Sequence, residues 1–312
     1  MKKLVIKALN KFGINEVESI TRIEDKDMWN IDDKYFIKTY NDLKLLEKIL
    51  LINTELYLAG VPVAVYNKTI TGELYVGMSD VYYTLTDKVS GSHLDFHKDN
   101  NFRKEIFSFG ENIAKLHIGL KRLSGKVQHA EIADLIGQLH GWILKEIAEK
   151  NISIQKEIID YCIGFDELYH KLPVQIIHRD LHGGNMLFEN GRLSAFIDFD
   201  INQVNARLFD VCYCMDVGVG NNKNDKEVTT WLEMIRGFLS GYNSVSEITN
   251  EELEALPYMF ILIQLLMVAF WSGREKSKEM IDENIEYLDW LYDNKDRFVF
   301  SRQDISRFTE IY

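Results

Sequence analysis

The sequence contains only three cysteines in 312 residues. Cys162, Cys212 and Cys214 are an odd and sparse set, and their spacing is not that of metal ligands. This composition argues against a disulfide-stabilised secreted domain, and it predicts reduced thiols in a cytoplasm. We interpret the pair Cys212 and Cys214 as filler of a strand or a core rather than as a redox site.

The sequence also lacks the features of an exported or membrane-spanning chain. The N-terminus, MKKLVIKALNKFG, contains basic residues but no apolar h-region and no cleavage pattern. The stretch 256–271 is almost entirely apolar, but it is shorter than a membrane span, begins near Pro257 and is interrupted by Gln264. We therefore predict a buried helix in this stretch, a cytoplasmic protein and no membrane partner.

The length and composition are those of an ordinary folded protein. With 46% hydrophobic and 27% charged residues, the chain has no low-complexity segment and no obvious internal repeat. A chain of 312 residues is long enough to bury a sizeable core and to form two lobes.

The net charge of −12 is unevenly distributed. Residues 1–90 hold 12 basic and 13 acidic residues, whereas residues 91–312 hold 24 basic and 35 acidic residues. The acidic second part argues against nucleic acid as a partner, because phosphates repel carboxylates, and it favours a cationic small molecule. The alternative is that this acidic surface only keeps the protein soluble.

The most informative stretch is residues 174–200, VQIIHRDLHGGNMLFENGRLSAFIDFD. An apolar run after Pro173 predicts a strand, and the polar residues that follow it predict a loop. Met186–Phe188 and Leu193–Ile197 then predict two further strands on either side of the turn Asn190–Gly191. The order strand, loop, strand, turn, strand brings several polar side chains toward one region.

Three of these polar side chains have the chemistry that phosphoryl transfer requires. Asp180 and Asn185 lie on the predicted loop and Asp198 ends the last strand, so we expect them near one point. Phosphoryl transfer depends on positioning and on metal-bound oxygens rather than on covalent chemistry. The five-residue step from Asp180 to Asn185 is that of the H-R-D-L-x-x-x-N catalytic loop of kinases. A lone Asp and Asn more often cap a helix or form a turn, but the whole string is more specific.

HRDLHGGN followed by IDFD resembles the catalytic loop and metal motif of the aminoglycoside phosphotransferase and choline kinase family, which are small-molecule relatives of the protein kinases. The resemblance runs from about residue 17 to about residue 216. It implies that Asp180 is the catalytic base and that Asn185 and Asp198 are magnesium ligands. It also implies that His178 is a structural member of the loop and that Asp200 neighbours the metal site.

The sequence departs from the protein kinases at several landmarks. His182 stands where protein kinases usually carry a lysine, and the metal motif is Asp-Phe-Asp rather than Asp-Phe-Gly. No glycine occurs between Gly13 and Gly60, so a G-x-G-x-x-G loop is missing. No Ala-Pro-Glu motif and no long activation loop follow Asp198. These departures weaken a protein-kinase interpretation more than a small-molecule-kinase interpretation.

The N-terminal part contains a candidate phosphate-binding lysine. Glu16–Ile23, Met28–Ile31 and Lys34–Tyr40 are predicted strands, the first two joined by the charged turn Glu24–Asp27. In kinases the first hairpin covers the nucleotide phosphates and a lysine of the third strand contacts them. Lys38 is that lysine in our interpretation, and a solvated strand lysine is the alternative.

The next segment, Leu43–Leu58, has the apolar spacing of a helix and ends before Gly60. An acid on this helix is expected to pair with Lys38 and to hold its ammonium for the phosphates. Glu47 is the preferred partner, and Glu55 is the alternative.

A hinge between two lobes is expected after the predicted strand Val81–Leu85. Residues 86–91 match the hinge of the family in position. The resemblance implies that adenine binds there through the carbonyl of Asp87 and the amide of Val89. Gly91 is the expected domain boundary.

From residue 102 the pattern becomes helical. Apolar residues recur at steps of four and three up to Leu120 and form one stripe, beside which His117 is predicted to be a core or capping histidine. Leu135–Ala148 and Ile154–Leu168 are predicted to be further helices. Asp210, beyond the metal motif, is predicted to hold the catalytic loop by hydrogen bonds.

These observations predict an α+β, bilobal, protein-kinase-like fold. Residues 1–90 form an N-terminal nucleotide-covering lobe, with a mostly antiparallel sheet and one helix. Residues 91–312 form a larger, mainly helical C-terminal lobe that carries the catalytic loop and the acceptor pocket.

The predicted activity is that of a kinase that transfers the terminal phosphate of ATP or GTP, with Mg²⁺, to a hydroxyl of a small, cationic molecule. Aminoglycosides, macrolides, choline or ethanolamine, homoserine and methylthioribose are acceptors implied by the resemblance, and the sequence does not choose among them. A protein Ser/Thr kinase and a catalytically idle nucleotide-binding or scaffold protein are the alternatives. Neither nucleic acid nor a membrane is an expected partner.

Overall fold

The computed structural model describes residues 2–23, 26–93, 105–127, 131–215, 225–274 and 278–306. The chain groups into two compact units, and neither is continuous in sequence. The first unit comprises Met1–Leu94, Arg122–His129 and Gly184–Asp200, and the second comprises Asp95–Lys121, Ala130–Gly183 and Ile201–Tyr312. The first unit thus includes residues 184–200 in addition to the predicted N-terminal lobe.

A five-stranded antiparallel sheet forms the centre of the first unit. Its strands are β1 (Ile20–Arg22), β2 (Met28–Ile31), β3 (Tyr35–Tyr40), β4 (Val76–Met78) and β5 (Val81–Asp87), in the order β1-β2-β3-β5-β4. Strand β1 is shorter than predicted, because the amides of Glu18 and Ser19 donate to the carboxylate of Asp32 at 3.0 and 2.6 Å instead of joining the ladder.

One face of this sheet packs against helix α1 (Lys2–Lys11). Val5 and Leu9 of the helix share a buried cluster with Ile37 of β3 and Leu85 of β5. The i, i+4 spacing of Val5 and Leu9 gives α1 one apolar stripe, which is buried on the sheet. The sequence prediction of a sheet with one helix therefore missed a second helix.

The other face of the sheet carries helix α2 (Leu43–Leu58), whose bounds are those predicted. Asp42 caps the helix, since its carboxylate accepts from the amides of Lys44 and Leu45 at 2.8 and 3.1 Å. Leu46 and Ile49 pack against Tyr40 of β3. Because side chains alternate along a strand, Phe36 and Lys38 lie on the same face of β3 as Tyr40.

A second, three-stranded sheet explains why residues 184–200 belong to the first unit. Strands β6 (Ser92–His93), β9 (Met186–Glu189) and β10 (Arg192–Phe196) pair antiparallel in the order β10-β9-β6. Gly91 precedes β6 with φ +121°, and a Cβ there would lie 2.8 Å from the carbonyl oxygen of Phe188. This close approach and this backbone conformation both require glycine.

The second unit is mainly helical, as predicted. Its helices are α3 (Ile106–Arg122), α4 (Leu135–Gln138), α5 (Leu144–Glu149), α6 (Lys156–Ile163), α7 (Asp166–Tyr169), α8 (Leu208–Met215), α9 (Asp225–Val245), α10 (Asn250–Gly273), α11 (Lys278–Asp293) and α12 (Arg302–Ser306). A π-helical turn, Leu139–Ile143, joins α4 to α5, and a 3₁₀ turn, Lys295–Phe298, follows α11. A sheet of β7 (Glu131–Ile132), β8 (Val174–Ile177) and β11 (Gln203–Ala206), with β11 in the centre, completes this unit.

Helix α10 is the core helix of the second unit. It is long and apolar enough to cross a membrane, but 78% of its most apolar 18-residue window is buried inside the protein. Thr249 and Glu252 form a capping box at its start. The prediction of a buried helix in this stretch is therefore confirmed.

The three cysteines are free and buried. Cys212 and Cys214 lie in the core on α8, so the interpretation as core filler is confirmed, although the element is a helix and not a strand. Burial raises the pKa of the Cys162 thiol to about 12, and this thiol is accordingly unreactive at neutral pH.

Helices α3 and α9 approach each other at a pair of glycines. A Cβ on Gly241 would lie 1.9 Å from the carbonyl oxygen of Phe107, and a Cβ on Gly110 would lie 2.0 Å from that of Phe238. Only glycine allows the two backbones to come this close.

We expect Gly241→Ala to destabilise the protein by about 1–3 kcal/mol, the usual cost of forcing extra atoms into a packed interior. The free energy of unfolding from urea titration measures this loss. Gly141→Ala is the matched control, because among the described residues, apart from its chain neighbours and its own helix backbone, no atom lies within 4 Å of a Cβ at that position. Equal stability of the two variants would contradict the close approach of α3 and α9.

Candidate active site

The loop that follows β8 is anchored through its backbone. The amides of His178 and Arg179 each donate to the Asp210 carboxylate at 2.8 Å. The ring of His178 is buried and its Nδ1 accepts from the amide of Asp180 at 3.3 Å. Arg179 has φ +77°, which is uncommon for a residue other than glycine. The predicted role of Asp210 in holding this loop is confirmed.

A buried polar network continues from Asp210. Nε2 of His117 lies 3.2 Å from the carboxylate of Asp210, and Nδ1 of His117 lies 2.8 Å from the hydroxyl of Tyr242. All three side chains are fully or almost fully buried. His117 is thus a hydrogen-bonded core histidine, as predicted, and the network keeps Asp210 in place.

The carboxylate of Asp180 lies among polar side chains of the second unit. The hydroxyl of Tyr213 donates to one oxygen at 3.4 Å, and Nε2 of His182 lies 3.5 Å from the other. The side chain of Asp180 remains 29% exposed. A carboxylate that is oriented but still accessible can accept a proton from a substrate hydroxyl.

Asn185 and Asp198 belong to one hydrogen-bonded segment of the first unit. Asn185 ends the 3₁₀ turn Gly183–Asn185 and precedes β9 directly. Its carbonyl accepts from the amide of Ile197 at 3.0 Å, so its backbone is tied to the residue before Asp198. Asp198 has φ +64°, and strained backbone of this kind often occurs at functional sites.

Lys38 meets Asp198 although 160 residues separate them in sequence. The ammonium nitrogen of Lys38 lies 2.9 Å from Oδ1 of Asp198 and 2.7 Å from Oδ2 of Asp200. The Lys38 side chain is only 27% exposed, so it is not a solvated strand lysine. The alternative interpretation of Lys38 is therefore excluded.

The ionisation of these three groups is coupled. Burial alone would lower the pKa of Lys38, but the two carboxylates outweigh this effect and raise it. Burial would raise the pKa of Asp198, but the ammonium of Lys38 lowers it on balance. Burial and the neighbouring Asp198 together raise the pKa of Asp200. Asp198 and Lys38 are accordingly both charged at neutral pH.

The ion pair faces a cavity of about 350 Å³ in the first unit. Lys38, Asp198, Asp87 and Val89, four of the residues singled out in the sequence, line this cavity. Their lining positions agree with a nucleotide site, and their individual roles remain predictions.

The backbone hydrogen bonds of the hinge show which of its groups point toward β3. The amide of Lys88 donates to the carbonyl of Lys34, toward β3, at 2.8 Å, whereas the carbonyl of Leu85 accepts from Asn67 on the opposite side, also at 2.8 Å. Peptide groups alternate along an extended chain, so those of Asp87 and Val89 point to the same side as those of Leu85. The alternation places the peptide groups of Asp87 and Val89 on one side of the hinge, away from β3, and their contacts to a nucleobase stay a prediction.

The prediction that Glu47 of α2 pairs with Lys38 is wrong. Glu47 is exposed, and among the described residues Lys38 pairs with Asp198 and Asp200 instead. The alternative partner, Glu55, is half-buried and pairs instead with Lys126 at 3.3 Å. The apolar stripe of α2 packs against the sheet, which leaves both acids on the outer face of the helix.

Several other residues of the cavity escaped sequence reasoning. Lys26, Tyr40, Asn53 and Tyr66 line it together with Asp200. Tyr40 could have been found, because it stands two residues after Lys38 on the same strand face. Lys26 belongs to the predicted charged turn, of which Glu24 and Asp25 lie outside the described residues.

The residues present fit a magnesium ion. Asp198 and Asn185 provide carboxylate and carboxamide oxygens, which are the hard ligands that Mg²⁺ prefers. Across the described part of the chain, His, Cys, Asp and Glu form no three-residue metal cluster. The two side chains would therefore share the ion with phosphate oxygens and water, as is usual for magnesium at nucleotide sites.

The site combines a lysine of an antiparallel sheet bonded to an aspartate that is distant in sequence with a His-Arg-Asp loop anchored through its backbone. These are features of a kinase-like fold. The sequence profile of the Phosphotransferase enzyme family matches residues 52–247. Since this match covers more than half of the chain, the protein belongs to that family.

Curated relatives of the chain include homoserine kinases. That of Methylobacillus flagellatus is 25% identical over 181 residues, which are 56% of this chain and 52% of that protein. That of Rhizobium meliloti is 32% identical over 112 residues, which are 36% of this chain and 33% of that protein. The chain thus spans about half or less of the length of these relatives.

Solved structures share the fold over nearly the whole chain. An aminoglycoside phosphotransferase from Alicyclobacillus acidocaldarius has a TM-score of 0.69 at 11% identity, covering 98% of this chain and 96% of that chain. A microcompartment-associated aminopropanol kinase has a TM-score of 0.66 at 16% identity, covering 99% and 100%. An amicoumacin kinase in complex with AMP-PNP and Ca²⁺ has a TM-score of 0.64 at 16% identity, covering 94% and 92%. The predicted kinase-like fold is therefore confirmed.

Proposed function

We propose that this protein is a kinase that transfers the terminal phosphate of ATP or GTP to a hydroxyl of a small acceptor with an amino group. The observation that carries this proposal is the contact of Lys38 with Asp198 at 2.9 Å, beside a 350 Å³ cavity. A lysine and an aspartate so placed suit the charged phosphates of a nucleotide. The relatives favour this activity over a protein kinase or an idle scaffold.

Each polar side chain has a distinct task in the proposed reaction. Lys38 binds the phosphates, Asn185 and Asp198 hold Mg²⁺, and the backbone of Asp87 and Val89 binds the nucleobase. When bound, magnesium neutralises charge on the phosphates. Asp180 accepts the proton of the acceptor hydroxyl, whose oxygen forms the new bond to phosphorus.

The leaving group of this transfer is the nucleoside diphosphate, since the bond between the terminal phosphorus and its bridging oxygen breaks. Asp180 is suited to its task because Tyr213 and His182 orient its carboxylate while part of it stays accessible. The hydrogen bond from the amide of Arg179 to the Asp210 carboxylate fixes the position of the adjacent Asp180. Positioning of a catalytic group contributes much of the rate acceleration of an enzyme.

A cavity of about 600 Å³ in the second unit supports an acceptor with an amino group. Glu131, Asp134 and Trp142 line it, and carboxylates with an indole ring suit an ammonium. Arg179, which directly precedes Asp180, lines it as well, and its guanidinium lies 4.9 Å from the centre of the Phe209 ring. A zwitterionic amino alcohol would match both signs of charge. Homoserine is such a molecule, and it is the acceptor that we propose first.

The proposed place of action is the cytoplasm. The three cysteines are free and buried, which suits a reducing compartment. The nucleotide that the proposed reaction consumes is also cytoplasmic.

The test is release of ADP or GDP with Mg²⁺ and a panel of acceptors that contains homoserine, aminopropanol, choline and kanamycin. We expect the highest kcat/KM with homoserine. Glu131→Gln removes one carboxylate of the 600 Å³ cavity, so the KM for homoserine should rise by roughly tenfold, as for the loss of one charge-assisted contact. The KM for the nucleotide should not change.

Glu149→Gln is the matched control, since Glu149 is an exposed carboxylate of α5 that pairs with Lys145 along the helix. It should leave both KM values within about twofold, as surface charges usually do. Failure of every amino-bearing acceptor to promote nucleotide consumption would contradict the proposed activity. An unchanged KM for homoserine in Glu131→Gln would contradict only the acceptor cavity.

A further inference from the structure

The ammonium of Lys38 has two carboxylate partners, and both come from the segment that follows β10. Asp198 and Asp200 lie 2.9 and 2.7 Å from it. The two aspartates are not equivalent, because Asp200 has a second contact with the same strand as Lys38. The hydroxyl of Tyr40 donates to the other oxygen of Asp200 at 3.5 Å. Asp200 is therefore held between two side chains of β3.

The spacing on β3 explains this arrangement. Lys38 and Tyr40 are two residues apart, so both side chains leave the same face of the strand. Tyr40 is buried, with only 6% of its surface exposed, and its ring packs against α2. The packing of the Tyr40 ring places its hydroxyl against one oxygen of Asp200, and the other oxygen of Asp200 contacts the ammonium of Lys38.

Helix α2 does not supply the partner of Lys38. Of its two acids, Glu47 is exposed and Glu55 pairs with Lys126 at 3.3 Å. The polar residue of α2 that lines the cavity is Asn53, with 5% of its surface exposed. A neutral carboxamide can accept a hydrogen bond from an ammonium, but it carries no negative charge to balance it.

The proposed role of Asp198 strengthens the case for Asp200. A carboxylate that serves as a metal ligand is no longer fully available to an ammonium, so only Asp200 can remain with Lys38 in a loaded site. Without such a partner a flexible lysine would sample many rotamers. The chain thus carries one aspartate for the ion and one for the lysine.

We propose that Asp200 is the positioning residue of Lys38, in place of an acid on α2, and that Tyr40 orients Asp200. This inference rests on the proposed function, since it assigns Lys38 to the nucleotide phosphates. Asp200 acts through Lys38 and does not itself contact the nucleotide.

The test is a double-mutant cycle on nucleotide binding. Asp200→Asn should raise the Kd for ADP by roughly 10- to 100-fold, the range for loss of a charge-assisted hydrogen bond. Because Asp200 acts through Lys38, adding Asp200→Asn to Lys38→Met should weaken binding little further. The Kd is measured by calorimetry with EDTA and again with Mg²⁺, so the result does not depend on activity.

Two further variants sharpen this cycle. Asn53→Asp places a carboxylate on the cavity side of α2, and in the Asp200→Asn background it should restore part of the lost affinity. Tyr40→Phe keeps the ring in its packing but removes the hydroxyl, so the Kd should rise by only about two- to fivefold, as for one weak neutral hydrogen bond. Tyr40→Phe also tests the inference if Asp200→Asn fails to fold. Glu73→Gln, an exposed carboxylate of the same unit, is the matched control.

Three results would overturn the inference. The first is a parent-like Kd in Asp200→Asn, and the second is full additivity with Lys38→Met. The third is a loss of affinity that occurs only with Mg²⁺, which would make Asp200 a metal ligand. Failure of the parent to phosphorylate any acceptor would instead contradict the proposed function alone, because the binding cycle requires only a nucleotide.

Discussion

Asp180→Asn should reduce kcat by about 10²- to 10⁴-fold, the usual contribution of a positioned general base. Asparagine keeps the shape of the side chain and can still contact Tyr213, but it cannot accept the proton of the acceptor hydroxyl. Nucleotide binding should remain within about twofold of the parent, because the proposed nucleotide site lies on other residues. Steady-state kinetics with homoserine, and calorimetric titration with ADP, measure the two effects.

The control for Asp180→Asn is Asp160→Asn. Asp160 is an exposed residue of α6 in the same unit, where it pairs with Lys156 one helical turn away. Its substitution should leave kcat and the melting temperature unchanged. If Asp180→Asn consumed nucleotide in the presence of acceptor as fast as the parent, another group would have to be the base.

The second large effect is expected for Asp198→Asn. Loss of its carboxylate should lower kcat by on the order of 10²- to 10³-fold, as for removal of one preorganised electrostatic group. The fall in activity should be accompanied by a loss of magnesium dependence. Mg²⁺ should raise the melting temperature of the parent with ATP beyond the value with ATP and EDTA, whereas the variant should show no such gain.

Asp80→Asn provides a matched control for Asp198→Asn. Asp80 has φ +61° and Asp198 has φ +64°, and asparagine tolerates this left-handed region well. Backbone strain is therefore the same in both changes, and only the role of the carboxylate differs. A normal magnesium-dependent shift of the melting temperature in Asp198→Asn would contradict the assignment of Asp198 as a metal ligand.

Two residues of the site have an unusual backbone conformation. Arg179, which precedes the proposed base Asp180, and Asp198, the proposed metal ligand, both have positive φ. The amide of Arg179 is held by Asp210, and the carbonyl of Asn185 is held by Ile197. These bonds offset local strain of about 1–3 kcal/mol per residue. This strain lowers the stability of the folded protein, and it fixes the orientation of the side chains at these positions.

Local patterns in the sequence were sufficient to predict much of the fold. The bounds of β2 and α2 agree with the prediction, because alternation and helical periodicity are properties of consecutive residues. Helix α1 escaped prediction, since its apolar stripe comprises only a few residues and becomes meaningful only when the sheet covers it. Strand β1 proved shorter than predicted because a side chain, Asp32, competes for its backbone amides.

The residues of the candidate site also fall into two groups, those that a sequence pattern identifies and those that it does not. Lys38, Asp180, Asn185 and Asp198 could be found in the sequence, because each stands at a defined step within a recognisable strand or loop. The partner of Lys38 could not be found in this manner. The helix that should supply an acid presents Asn53 to the cavity, and Asp200 takes the place of that acid.

By itself the sequence determined which residues are candidates for phosphoryl transfer, because side-chain oxygens, their spacing along a loop and the alternation of a strand are properties of consecutive positions. Only the tertiary structure decided which carboxylate meets which ammonium. Asp200 is 162 residues away from Lys38 in the chain, yet 2.7 Å away in space. No local pattern encodes that distance, since it follows from how β3 and the segment after β10 pack around one cavity. Electrostatic pairing depends on distance and burial, and both are properties of the folded chain.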